Sequence, residues 1–235
     1  RLRHDSHLNR NLVAFIEVPG WVGSARQDLQ ERLARMKNGE TFTAPLNNPR
    51  VTHWLHNPAD DRVLNMMNSL GMHNCPEDRV KVIFVPCYLN GNDGIVDLHY
   101  YDVVLGNDLC VYPSYYEPWG YTPLEAVAFH VPCITTDLAG FGLWANHIKG
   151  SDSQLVDGVK VVHRTDYNYN DVAEELKDTL LEFSTMSAGE VRACRNKAAQ
   201  LSKKALWSKF ITYYEQAYNT ALEKSETRKQ VKYHN

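Results

Sequence analysis

No apolar run in these 235 residues approaches the roughly 20 needed to cross a bilayer, so no membrane span is expected. No signal-peptide pattern opens the residues given. Long basic runs are missing before the tail and the net charge is −3, which argues against nucleic acid as a partner. The five cysteines include no Cys-x-x-Cys pair and the histidines are scattered, so no metal site is expected. Cys87, Cys110 and Cys133 lie in or beside apolar runs and read as core thiols of a reducing, cytoplasmic compartment. Internal repeats and low-complexity segments are absent as well. The chain does not begin with methionine and looks like a piece cut from something longer. Residues 1–10 lack periodicity and residues 226–235 are charged, so both ends are expected to be flexible.

What is present is an ordinary globular composition, 43% hydrophobic and 23% charged, at a length that supports one sizeable core. Residues 11–18 form a near-continuous β-rich apolar run, the pattern of a strand covered on both faces. Residues 27–36 have a helical pattern, and residues 37–48, with Gly39 and Pro45, read as a loop. Further strands are expected at 51–55, 80–85, 109–112, 133–136 and 159–162. Helices are expected at 60–70, 98–105, 171–183, 189–206 and 207–224. Strands alternating with helices argue for a parallel sheet flanked by helices, with right-handed crossovers, in one domain spanning residues 1–235.

The stretch at 111–144 carries most of the chemistry. Two carboxylates, Glu117 and Glu125, lie eight positions apart, with Gly120 and a helix start between them. The helix is expected to begin near Thr122, with Pro123 at its first position. A loop at the carboxyl end of a strand is where ligands bind in open α/β sheets. On spacing alone three readings stay open. Thr122 and Glu125 can form a capping box. Gly120 and the helix start can offer amides and a positive dipole end to a phosphate. Glu117 can face a reacting sugar while Glu125 meets a ribose hydroxyl.

The whole string is more specific than the glutamate pair. Pro113-Ser-Tyr-Tyr-Glu117-Pro-Trp-Gly120-Tyr-Thr-Pro-Leu-Glu125, followed by Thr135, Thr136, Gly140, Phe141 and Gly142, closely resembles the donor-nucleotide segment of animal and fungal glycogen synthases. Residues 13–16, 51–53, 78–84 and 89–90 are arranged as in the carboxyl-terminal half of the same family. The resemblance implies one half of a retaining GT-B glycosyltransferase, a Rossmann-like domain that binds UDP-glucose or ADP-glucose. The family's basic Gly-Arg…Asn-Lys-Gly segment has no counterpart here, and neither does its amino-terminal acceptor domain. Glycogen, an α-1,4-glucan, would be bound through that missing domain.

Residue by residue, the resemblance gives Glu117 to the carbon of the transferred glucose as the catalytic carboxylate. It gives Tyr100, and with it Tyr88, to the donor base. Gly120, Tyr121 and Thr122, with Trp119 beside them, match the turn whose amides meet the diphosphate, and Glu125 matches the ribose-binding carboxylate. Thr135, Gly140, Phe141 and Gly142 read as pocket wall. Glu117 accepting bonds from the Trp119 and Gly120 amides is the plain structural alternative. His53, His56 and His130 read as structural residues. The family reading brings no cofactor and no metal, and it leaves a homo-oligomer open. Basic residues are only scattered through 187–204, with Glu190 among them, so activation by a sugar phosphate is not expected and a bacterial-style synthase is suggested. The alternatives are another GT-B enzyme with a different donor or acceptor, and a non-catalytic nucleotide- or glucan-binding module.

Overall fold

The structure, a computed structural model, describes residues 1–231, with side chains to residue 228. It is mixed α/β, with parallel strand pairs flanked by helices. The chain gathers into two compact units. Unit 1 is Arg1–Asn107 with Thr165–Ala188, and unit 2 is Asp108–Arg164 with the residues from Gly189 onward.

Unit 1 is built on β1 (Leu12–Glu17) and β4 (Val80–Val85), paired in parallel from Leu12–Val80 to Glu17–Val85. The β4 run was legible because Val80, Val82 and Phe84 share one face by period-two alternation and are buried together. They form a core with Leu2, Leu8, Val51, Leu64 and Met67, against which Leu180 and Leu181 also pack. The last two come from α6 (Tyr169–Thr185), while Leu64 and Met67 come from α2 (Arg62–Ser69). Asp61 starts α2 by accepting the amide of Leu64 at 2.8 Å. Before α2 lies α1 (Gln27–Lys37), as its pattern predicts.

Three expectations for this unit change. Residues 1–10 are not a bare end: a 3-10 turn at Leu2–His4 puts Leu2 into the core, and Leu8 follows. Two apolar residues set in a polar decapeptide give no periodic signal. Strand β1 is not covered on both faces, for Val13 and Phe15 are about half exposed. The described residues of this unit cover one of its faces only. A strand β2 (Val22–Ala25) was also missed; it pairs antiparallel with β3 (His53–Leu55) around an irregular register. Gly23 and Ser24 dilute its β signal.

Arg26, fully buried, knits this part of the unit together. Its guanidinium donates to Asp28 and to the carbonyls of Asn47, Asn48 and Val51, and it lies 4.7 Å from the Trp54 ring centre. A buried cation is tolerable when its donors are used in this way.

Unit 2 has three parallel strands in the order β5 (Cys110–Val111), β6 (Cys133–Thr136), β7 (Val159–Val162). Around them lie α4 (Tyr121–Ala128), α5 (Gly140–Lys149), α7 (Ala188–Ser202) and α8 (Trp207–Val231). Helix α8 runs on to Val231, whereas the sequence pattern stopped near residue 224; residues 232–235 lie outside the described residues. Val127, Val131, Cys133, Ile134, Phe141, Val159 and Val162 are 0–1% exposed and make the core. Phe210, from the first turns of α8, meets Trp119 and Trp144 edge-on at 5.4 and 5.8 Å.

Phe84 is 1% exposed in the unit 1 core. Replacing it by alanine should cost about 3–5 kcal/mol. Urea unfolding measures this, and an unshifted transition would contradict the packing described.

Candidate functional site

The segment that leaves β5 is held by main-chain bonds to the turn between β6 and α5. The amide of Glu117 donates to Leu138 O at 3.1 Å, Gly140 N to Glu117 O at 3.1 Å, and Phe141 N to Trp119 O at 2.6 Å. Glu117 thereby forms a parallel bridge with Ala139. Gly140 permits this approach, since a side-chain carbon there would lie 2.3 Å from Pro118 O. Gly140 and Gly142 were read only as pocket wall, and α5 was missed because two glycines in its first turn weaken the helical signal.

The Glu117 carboxylate accepts the Ser114 hydroxyl at 3.0 Å, and Thr136 Oγ1 donates to Ser114 O at 2.7 Å. Among the described residues no bond runs to that carboxylate from the Trp119 or Gly120 amide, so the plain alternative for Glu117 is not what forms. Gly120 is the N-cap of α4 at φ 102°, ψ 80°, a left-handed conformation that glycine adopts without strain. A side-chain carbon at Gly120 would come 3.4 Å from Glu117 Oε2, so the carboxylate lies against the helix start.

The helix begins two residues earlier than expected, since Pro123 was to be its first residue. Tyr121 is its first residue, Thr122 the second and Pro123 the third, where a missing N–H still costs nothing. Thr122 is therefore inside the helix, Gly120 carries no side-chain cap, and the capping box does not form. Glu125, half-buried, lies one turn beyond Tyr121, and Tyr121 is 70% exposed. Trp119 is half-buried, edge-on to Phe141 at 6.1 Å. Thr135 and Phe141 are fully buried, and Thr135 Oγ1 and Trp144 Nε1 are enclosed without a hydrogen-bond partner.

One further group at these strand ends escaped the sequence reading. Asp137 accepts His163 Nδ1 at 2.5 Å and the Arg164 amide at 2.9 Å. The Arg164 guanidinium donates to Pro113 O and lies 5.3 Å from the Tyr115 ring centre. It is a cation fixed on the segment that carries Glu117, with 51 positions of sequence between Arg164 and Pro113. No motif spacing announces it.

The sequence model of the glycogen synthase family matches residues 29–234. Glycogen (starch) synthase isoform 2 of Saccharomyces cerevisiae is 34% identical over 83% of this chain and 27% of its own length. The Neurospora crassa glycogen (starch) synthase is 35% identical over 84% and 27%. The chain belongs to the glycogen synthase family. The liver enzyme of Mus musculus is 32% identical over 75% of this chain and 25% of its own. The chain thus spans about a quarter of the length of these synthases. A crystal structure of Anabaena Alr3699/HepE in complex with UDP covers 94% of this chain and 51% of its own, with a TM-score of 0.43 and 15% identity. A likeness of that size fixes neither fold nor ligand.

The remaining residues that resemble glycogen synthase positions fall in unit 1. Tyr100 is the first residue of α3 (Tyr100–Gly106), half-buried beside Tyr101 at 5.5 Å, and its amide donates to Leu89 O at 3.0 Å. Tyr88 is 76% exposed. His53 is buried and structural, as expected: its ring nitrogens meet Thr52 Oγ1 at 2.9 Å and Asp93 O at 2.8 Å. Burial, with a smaller contribution from Cys110, holds the pKa of the Cys133 thiol well above its usual value, so Cys133 does not read as a nucleophile.

Gly140→Ala should push residues 118–119 off the β6–α5 turn and cost about 1–3 kcal/mol of overpacking. Tryptophan fluorescence during urea unfolding reads both effects through Trp119. Wild-type stability and emission in this variant would show that the close approach is dispensable.

Proposed function

We propose that this chain is the donor-binding region of a glycogen (starch) synthase, residues 1–235 acting as the single Rossmann-like carboxyl-terminal half of a GT-B enzyme. The full enzyme transfers glucose from UDP-glucose or ADP-glucose to the 4-hydroxyl of a growing α-1,4-glucan, with retention, in the cytoplasm. The acceptor is bound by a region outside this chain. Family membership supports the reaction class, and one observation supports the site: the Glu117 carboxylate lies against the glycine-led start of α4.

That placement puts two kinds of charge stabilisation side by side. A carboxylate favours the positive character that develops at the anomeric carbon as the bond to phosphate breaks. The first amides of α4, at Tyr121 and Thr122, and the positive end of its dipole favour the departing diphosphate. Gly120 keeps side-chain bulk out of that approach, and Trp119 anchors the loop through Phe141 and Phe210. Glu125 is assigned to the ribose hydroxyls. Tyr100 and Tyr88 are assigned to the base, and this part rests on the family resemblance together with the presence of flat rings. No step is assigned to a metal or cofactor.

Binding is checked by saturation-transfer NMR with UDP-glucose and ADP-glucose on the 235-residue chain. Tyr100→Ala should weaken binding about 10- to 100-fold, the value of one stacked base. Unchanged transfer to the ligand would remove Tyr100 from the site. Glucan elongation by this chain alone would contradict the need for a separate acceptor region.

Chemistry is checked in the full-length parent. Glu117→Gln should lower kcat about 10²- to 10³-fold with little change in KM, as removal of one transition-state charge does. An unchanged kcat would remove Glu117 from the chemistry, and a wild-type parent without turnover would favour a nucleotide- or glucan-binding module.

A further inference from the structure

Unit 1 brings together three metal-ligating side chains from three separate segments. His53 stands on β3, Cys87 follows β4, and Asp93 lies in the loop beyond it. One ligand atom from each lies within 4.8 Å of the other two. We propose that His53, Cys87 and Asp93 form a structural zinc site that ties the loop after β4 to strand β3. The proposal does not rest on the function argued above, and no step of that reaction passes through it.

The donor set selects the ion. One imidazole nitrogen, one thiolate and one carboxylate suit zinc, whereas calcium and magnesium take oxygen ligands alone. Charge selects it too. The thiolate and the carboxylate together carry two negative charges and neutralise a dication. That balance matters here, because the His53 and Asp93 side chains are only 3% and 1% exposed.

The surroundings support the ligands as a second shell would. With Nε2 on the metal, the imidazole proton moves to Nδ1 and is donated to Thr52 Oγ1 at 2.9 Å. The Thr52 hydroxyl lies 3.4 Å from Phe84 O and passes its own proton there. The Asp93 carboxylate is oriented by the amides of Ile95, Val96 and Asp97 at 2.8–3.0 Å, which leaves lone-pair capacity for a cation.

Binding replaces the bond from Nε2 to Asp93 O and releases one proton, from Cys87 Sγ to solvent. Zinc bonds of about 2.0–2.3 Å put ligand atoms roughly 3.3–3.8 Å apart, so the cluster closes by about 1 Å. The half-buried Cys87 supplies that movement most easily. A water or the Asp93 carbonyl completes four-coordination.

Chelator-stripped full chain, titrated with Co²⁺ and then Zn²⁺, tests this. One equivalent of Co²⁺ should give a thiolate-to-cobalt charge-transfer band, Zn²⁺ should displace it, and Zn²⁺ should raise the unfolding midpoint. Cys87→Ser should abolish the band and weaken Zn²⁺ at least tenfold. Asp93→Asn should weaken binding and keep the band. Circular dichroism matching the wild type separates a lost ligand from a lost fold. No band in the wild type, or equal Zn²⁺ affinity in wild type and Cys87→Ser, would overturn the proposal.

Discussion

The candidate site depends on one backbone contact, the parallel bridge that fastens residues 117–119 to the turn between β6 and α5. Without it a loop containing two prolines and a glycine would have no fixed path, because a loop owes its shape to where its amides and carbonyls find partners. With it, Glu117 stands against the start of α4; the Ser114 hydroxyl donates to that carboxylate, and Thr136 Oγ1 ties the Ser114 main-chain carbonyl to the sheet. The bridge in turn requires Gly140 at the close approach and the aromatic group of Trp119, Phe141, Trp144 and Phe210 behind it.

Much of this was legible in the residues, for reasons that differ by element. Strand β4 is read directly, since alternation survives in Val80, Val82 and Phe84. Helix α6 is read from Val172 and its stripe. The Glu117–Glu125 pair could be placed only through the whole string around it; spacing alone left capping, phosphate binding and catalysis all open. The start of α4 was placed two residues late because Pro123 is a familiar first-position residue, while the actual cap is a left-handed glycine with no side-chain signal. Helix α5 was hidden by the glycines that its packing requires.

What stayed out of reach depends on distant parts of the chain meeting. Arg164 comes beside the Glu117 segment only after β7 has been laid next to β6. Arg26 reads as an ordinary polar residue, yet it is enclosed by four carbonyl and carboxylate partners. His53 and Asp93 meet across β3 and the loop after β4, a pairing with no spacing rule. In each case tertiary structure supplies the partners that make a buried polar group tolerable, and no local pattern encodes them.

The bonds that set the course of residues 117–119 run from main chain to main chain. A carbonyl accepts equally well whatever side chain its residue carries. The segment's route is therefore largely uncoupled from its most exposed side chains, and Tyr116 and Pro118 can diversify while the carboxylate keeps its address. Such a scaffold lends itself to retuning ligand choice by substitution at the surface, without redesigning the framework beneath.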